Sequence, residues 1–466
     1  MTATNTDPIL SQVLESVDTG LGASLERLKV LLRIKSISTD PAFAAECQRA
    51  ADWIVGELNG IGFEASARPT PGHPVVVAHG PKQAGPHVLF YAHYDVQPVD
   101  PLHLWHTDPF EPVVKQDANG RQIIVARGAS DDKGQMMTFI EACRAWKSVT
   151  GSLPVQVSLM LEGEEESGGI NLPGFMEANK DELAADIALV CDTDMWDRET
   201  PSITTMLRGL VGEEIEITCA NKDLHSGMFG NAARNPNQVL AEIIASLRAP
   251  DGSVTVPGFY DDVAEISDEL KAQWAGLGFD DKQFLADAGL SIPAGEQGRS
   301  VLEMLWARPT CEINGMIGGY TGDGFKTVIP AKASAKISFR MVSGMQPDKI
   351  RAAFRQHVQD HLPADCTVKF TAHGSSPAIT VPDDGVHLRR ALDGLTGEWG
   401  KPAVITGSGG SIPVVGEFKR ILGLDTLLIG FAHVDDAIHS PNEKYDLESY
   451  HRGIRSWVRV LAALAA

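Results

Sequence analysis

Three short apolar runs constrain the fold most, because each stops abruptly at a cluster of acidic or imidazole side chains. Val88-Leu89-Phe90-Tyr91-Ala92 stops at His93-Tyr94-Asp95, the run 155–161 at Glu162-Gly163-Glu164-Glu165-Glu166, and the run 187–190 at Cys191-Asp192-Thr193-Asp194. Runs this short and unbroken read as strands buried on both faces. A fourth run occupies 75–78, and helical periodicity covers 24–32, 44–58 and 133–146. Strands alternating with helices build an α/β sheet. In such sheets, sites form beyond the carboxyl ends of the strands, so the three clusters are expected along one edge.

The pattern changes near Arg208. Residues 211–218, VGEEIEIT, alternate polar and apolar. A helix follows over 236–247, then a long, partly helical stretch over 263–305, a strand over 333–341, a helix over 347–362 and a strand over 367–371. This succession is the split βαβ signature of a two-layer α+β sandwich. From about Ser375 the α/β style returns, with a helix over 386–399, a strand over 426–429 and a last helix from 447. The expected organisation is a discontinuous α/β domain, 1–208 and 375–466, interrupted by an inserted domain, 209–374, with a hinge near Arg208 and Gly374.

A chain of 466 residues with 43% hydrophobic composition has length and apolar content for two cores. Its formal net charge of −21 argues against nucleic acid and anionic membrane as partners. No apolar stretch is long enough to span a bilayer. The beginning of the chain lacks the basic and apolar regions of a signal peptide, so a cytoplasmic location is expected. Six cysteines without CxxC spacing suit a reducing compartment and buried thiols better than disulfides.

Two further segments carry polar groups suited to chemistry: Arg127-Gly128-Ala129-Ser130-Asp131-Asp132-Lys133-Gly134, just before a helix, and Ile438-His439-Ser440-Pro441-Asn442-Glu443-Lys444. Each has a bland reading: a hydrogen-bonded pair for His-x-Asp, a solvated loop for consecutive glutamates, an N-cap for Asp-Asp. Their joint placement argues for a common purpose. Unpaired carboxylates at one edge would repel one another, and a pair of divalent cations resolves that repulsion. Mixed imidazole and carboxylate donors suit zinc, and also accept manganese or cobalt. Arg340 is an odd residue in an apolar strand; its fork suits a substrate carboxylate, with a structural salt bridge as the alternative. Gly409-Gly410-Ser411-Ile412-Pro413 reads as a turn whose free amides can receive a carboxylate, or as a plain turn. His106 and His433 lie near the motifs and read as supporting or structural groups.

YAHYDVQP, RGASDDKG, EGEEESGG, CDTDMW and HSPNEKY, in this order, resemble the dinuclear zinc exopeptidase family of carnosine dipeptidases, carboxypeptidase G, aminoacylases and succinyl-diaminopimelate desuccinylase. The resemblance covers about residues 28–449, and EGEEESGG, KDLHSG, KTVIP and GGSIP point to the carnosinase-like dipeptidases. It implies a three-layer α/β/α catalytic domain interrupted by a smaller two-layer, ferredoxin-like lid and dimerisation domain. It implies two Zn2+ per subunit: one held by His93 and Asp192, the other by Glu166 and His439, with Asp131 bridging. Asp131 is preferred to Asp132 because the family's bridging Asp lies two residues before the Lys. Asp192 is preferred to Asp194 because an Asp-Thr pair matches there. By the same resemblance Glu165 is the general base, Asp95 sits behind His93, and the Asp131–Asp132 peptide bond is cis. His225 would stabilise the oxyanion across a homodimer, and Thr327, Arg340, Gly410 and Ser411 would face substrate. The implied activity is metal-dependent hydrolysis of dipeptides or small peptides. A deacylase or desuccinylase of N-acyl amino acids would share every catalytic residue. An inactive homologue serving as a binding protein is disfavoured, because all five ligands and Glu165 are present.

Overall fold

The computed structural model describes residues 7–410 and 412–466. The chain divides into two compact units: one runs to Thr205 and resumes with Val381–Thr406 and Glu417–Ala466, and the second comprises Met206–Thr380 and Gly407–Gly416.

The first unit is built on a mixed sheet. Gln156–Glu162, His87–His93, Ile187–Val190 and Thr426–Leu428 lie side by side and parallel. Val75–His79 adds antiparallel to Gln156–Glu162, Glu64–Arg68 continues that side, and Ser202–Leu207 pairs antiparallel on the other. Neighbouring side chains of one strand point to opposite faces. Phe90 stacks on Phe139 of the helix Lys133–Thr150, centroids 3.7 Å apart, and meets Trp457 of the helix Leu447–Ala465. Tyr91, one residue on, packs edge-on against Phe418 in a π-helical turn. Helical elements therefore cover both faces, giving three layers.

The first helix runs Pro8–Leu32, well ahead of the expected start at 24. Asp7 caps it, accepting from the Ile9 N–H at 2.9 Å, and Pro8 occupies the first turn, where its missing N–H costs nothing. Gly20 and Gly22 interrupt the periodicity without breaking the helix, because Val13, Leu14 and Val17 are buried ahead of them. A small sheet of Val113–Gln116, Gln122–Val125 and Lys444–Asp446 ties two distant segments together.

The second unit has a four-stranded antiparallel sheet in the order Thr310–Gly318, Lys332–Met341, Gly209–Thr218, Thr367–Ser376. The helices Pro236–Ala245 and Pro347–His361 complete the β-α-β-β-α-β order of a ferredoxin-like layer pair. Strict alternation along Gly209–Thr218 turns Val211, Ile215 and Ile217 into a core shared with Leu240, Ile243, Phe339 and Phe354. Glu213 falls on that buried face, where Arg351 and Arg355 neutralise it at 2.9 and 2.6 Å. The stretch expected as partly helical contains three short helices, Asp268–Ala275, Asp281–Asp287 and Val301–Trp306. Among the described residues no helix is long and apolar enough to cross a membrane.

Candidate metal centre

Parallel strands end at a common edge, and His93 stands opposite Glu162 in the register. Asp192 lies two residues past the end of Ile187–Val190, and Asp131 two residues before the helix Lys133–Thr150. These elements bring five side chains together as two overlapping donor groups: His93, Asp131 and Asp192 in one, Asp131, Glu166 and His439 in the other. Within each group the donor atoms all lie within 4.8 Å of one another. Asp131 belongs to both. Its Oδ1 is 3.0 Å from His93 Nε2, and its Oδ2 is 2.8 Å from His439 Nε2. Asp192 Oδ2 is 4.0 Å from His93 Nε2, and Glu166 Oε2 is 3.1 Å from His439 Nε2. Asp194 is exposed and belongs to neither group.

Electrostatics show what the cluster demands. Among the described residues, Asp131, Glu165, Glu166 and Asp192 converge with two imidazoles, His93 and His439, to offset them. Burial pushes the Asp192 carboxyl well above its ordinary value, with repulsion from Asp131, Glu165 and Glu166 adding to it. Burial likewise raises Glu165, opposed by His93 and reinforced by Glu166, Asp95 and Asp131. His439 is pushed up to about 10 by its hydrogen bonds to Asp131 and Glu166. Burial works against a charged His93, yet hydrogen bonds with Asp131 and Asp95 hold its pKa well above the ordinary imidazole value. The imidazoles are raised, Asp192 and Glu165 are raised, and Asp131, against the effect of burial, is held below its ordinary value by His439 and His93, the pattern of a cluster with more negative than positive charge. Imidazole and carboxylate donors of this kind could hold a divalent metal ion, and Asp131 is available to both groups.

A layer of buried groups fixes these donors. His93 Nδ1 faces Asp95, 3.1 Å from its backbone carbonyl oxygen and 3.3 Å from Oδ1, leaving Nε2 turned to the cluster. The Asp95 carboxylate also accepts the backbone N–H groups of Glu165 and Glu166 at 3.3 and 3.0 Å, so one side chain orients an imidazole and a glutamate pair. Of the glutamate run, Glu162 accepts from Tyr91 and Glu164 from Asn171, which leaves Glu165 and Glu166 for the cluster. The Glu165 carboxylate takes no hydrogen bond among the described residues. The Asp131–Asp132 peptide bond is cis. His439 has φ 61°, a left-handed backbone that non-glycine residues adopt rarely and that gathers at functional sites.

Two groups had no role assigned from the sequence. Glu443, fully buried, accepts from the backbone N–H groups of Gly128, Ser130 and Asp131 at 3.0, 2.9 and 3.0 Å and from Arg127 Nη1 at 2.7 Å. It therefore positions the loop bearing Asp131. Gln97 Nε2 donates to Glu166 Oε2 at 2.7 Å. Both lie inside the quoted motifs, which is the only sequence signal they give. His433 is buried against Ser449 at 2.8 Å, and the exposed His106 touches Asn442 through its backbone.

The other predicted site residues belong to the second unit. His225, exposed, pairs in a two-residue strand with Val328, and the Ser226 N–H donates to the Thr327 carbonyl at 3.1 Å. Arg340 lies on Lys332–Met341 between Thr310 and Leu210. It lines a cavity of about 400 Å3 with Arg208, Arg248 and Leu285, and has no ion-pair partner among the described residues. Burial, with repulsion from Arg340, pushes Arg208 down to about 10. The Gly410 N–H donates to Ser408 Oγ at 3.2 Å. Ser411 lies outside the described residues.

A mixed sheet at whose edge two donor groups share one carboxylate is an arrangement suited to a metal-dependent hydrolase. The chain belongs to the peptidase family M20/M25/M40, whose model matches residues 89–463. It is similar to the Cys-Gly metallodipeptidase dug1 of Schizosaccharomyces pombe, 30% identical over 479 aligned residues covering 98% of each protein. It is 28% identical to the Beta-Ala-His dipeptidase of Homo sapiens, over 98% of this chain and 93% of that one. Among solved structures, the M20 family metallo-carboxypeptidase Sso-CP2 from Sulfolobus solfataricus superposes with a TM-score of 0.78 at 30% identity, covering 95% of this chain and 99% of that one.

Proposed function

We propose that the protein hydrolyses the amide bond of dipeptides with two divalent cations, zinc in the first instance, held by His93 and Asp192 on one side, Glu166 and His439 on the other, and Asp131 between. The observation that carries this reading is that the two Asp131 oxygens face the two imidazoles separately. The cations would supply Lewis acidity, polarising the substrate carbonyl and making water acidic enough to attack near neutral pH. Glu165, uncommitted to any donor, takes a proton from the attacking water and passes it to the leaving amine nitrogen. Asp95 holds the His93 ring with Nε2 forward. The unpaired Arg340 guanidinium receives the substrate carboxylate, and Thr327 and Gly410 offer further polar groups to substrate. The second unit serves as lid and dimerisation domain, and His225, with its exposed ring, stabilises the oxyanion across a homodimer.

Substrates named for the relatives, Cys-Gly and β-Ala-His, head the panel, alongside N-acetyl and N-succinyl amino acids. Metal content by mass spectrometry should give two cations per chain, with turnover on free dipeptides exceeding that on N-acyl amino acids. Glu165→Gln should retain both cations and lose about 10²–10⁴-fold in kcat. Full activity in that variant would remove Glu165 from the chemistry, and preference for the N-acyl substrates would make the protein a deacylase.

A further inference from the structure

In the second unit, Cys219 follows the strand Gly209–Thr218 and Cys366 precedes Thr367–Ser376. The strands pair antiparallel with Thr218 opposite Thr367, so the register carries Cys219 opposite Cys366 one step further. Opposed residues in antiparallel strands have Cα atoms about 4.5–5.5 Å apart, within the span that a disulfide bridges. The two Sγ atoms are 2.8 Å apart, and a disulfide needs them at about 2.05 Å. The backbone is already satisfied elsewhere: the Cys219 N–H donates to the Ala331 carbonyl and the Cys366 N–H to the Pro363 carbonyl. Joining the sulfurs therefore breaks no backbone hydrogen bond. Cys219 is half-buried and Cys366 buried, so Cys219 is the more accessible member of the pair.

We propose that Cys219 and Cys366 form a dithiol modification site that closes reversibly to a disulfide, clamping two strands of the second unit at their ends. The oxidant is a small-molecule disulfide, RSSR. The Cys219 thiolate attacks one sulfur of RSSR, forming a mixed disulfide and expelling RS⁻. Cys366 then loses its proton, attacks Cys219 Sγ and expels the second RS⁻. Two protons and two electrons leave the protein, and two RSH form. Burial, with the neighbouring Cys366 adding to it, pushes the Cys219 thiol up to about 12. Thiolate is therefore scarce at neutral pH, and closure is slow there and faster in alkali. The bond would close a loop between residues 147 apart in sequence, which restricts the unfolded chain strongly.

The test uses the full-length protein incubated with oxidised glutathione at pH 7 and pH 9, alkylated, digested without reductant and mapped by mass spectrometry. The expected product is one cross-linked peptide pair joining Cys219 to Cys366, two hydrogen masses lighter than the separate peptides. It should form faster at pH 9 and be reversed by dithiothreitol, and the oxidised protein should melt about 5 °C higher. Recovery of both cysteines as alkylated thiols would overturn the proposal. So would a lasting glutathione adduct on Cys219, or linkage through Cys47, Cys143, Cys191 or Cys311. Cys366→Ser should arrest at the Cys219 mixed disulfide; if that variant fails to fold, the wild-type map decides alone.

Discussion

The donor edge of the first unit and the candidate substrate residues of the second are built in opposite ways. At the donor edge the supporting polar groups are buried and committed: Glu443 accepts four hydrogen bonds, and Asp95 spans His93, Glu165 and Glu166. In the second unit His225, Thr327 and Gly410 are exposed, and Arg340 has no charged partner among the described residues. A metal site must hold its donors in place before the cation arrives, because their mutual repulsion would otherwise scatter them. A charged group that meets substrate is best left without an ion-pair partner until it does, as Arg340 is, because an existing pair has to be broken before it can serve.

The sharpest way to break this contrast is Asp131→Ala. Asp131 is common to both donor groups, so both cations should be lost together and hydrolysis should fall by at least about 10³-fold. Asp192→Ala should lose one cation only. Two cations retained in the Asp131 variant, measured by mass spectrometry, would end the bridging assignment. Next in size is Glu443→Gln, which keeps an acceptor but leaves the buried Arg127 without its charge partner. Breaking such a pair costs about 3–5 kcal/mol, and losing a supporting contact of this kind weakens metal binding by about 10–100-fold. Denaturant unfolding and chelator competition read the two effects separately. Arg340→Ala should do neither. It should raise KM for dipeptides by about 10–100-fold, the value of a charged hydrogen bond, while metal content and melting temperature stay put. A drop in stability would instead make Arg340 a structural group.

The donor edge was legible in the sequence because parallel strands force His93, the Glu165–Glu166 pair and Asp192 to one side, whatever else the chain does. The strand Gly209–Thr218 and the helix Pro347–His361 were legible because alternation over 211–218 and helical periodicity over 347–362 differ in period. What escaped notice depends on pairing between distant segments. Glu443 meets Asp131 across 312 residues, where the small sheet joining Lys444–Asp446 to Gln122–Val125 and the Ala126 N–H bonded to the Glu443 carbonyl bring the segments together. Strands of three or four residues carry too little pattern to announce such a sheet. The early start of the first helix was hidden by Gly20 and Gly22, whose helix-lowering propensity is outweighed by burial of the residues around them.

The smallest effect is expected where the same chemistry meets solvent. Arg455 grips Asp18 at 2.7 and 2.8 Å and His451 adds a third contact at 2.7 Å, a geometry as close as that of Arg127 and Glu443. The Asp18 side chain is 46% exposed, that of Glu443 0%. Burial raises the Asp18 carboxyl, but the hydrogen bonds from Arg455 and His451 outweigh it and hold the pKa below its ordinary 3.8. A carboxyl lowered by folding favours the folded state while ionised. Its contribution is complete above the ordinary carboxylate range and disappears as pH falls through 3.8 toward the folded value. Asp18→Asn should therefore cost under about 1 kcal/mol at pH 7, less still in 1 M salt, and nothing in acid once both forms are neutral. If unfolding measurements gave it the same cost as Glu443→Gln, burial would not be what separates the committed groups beneath the donors from ordinary surface pairs.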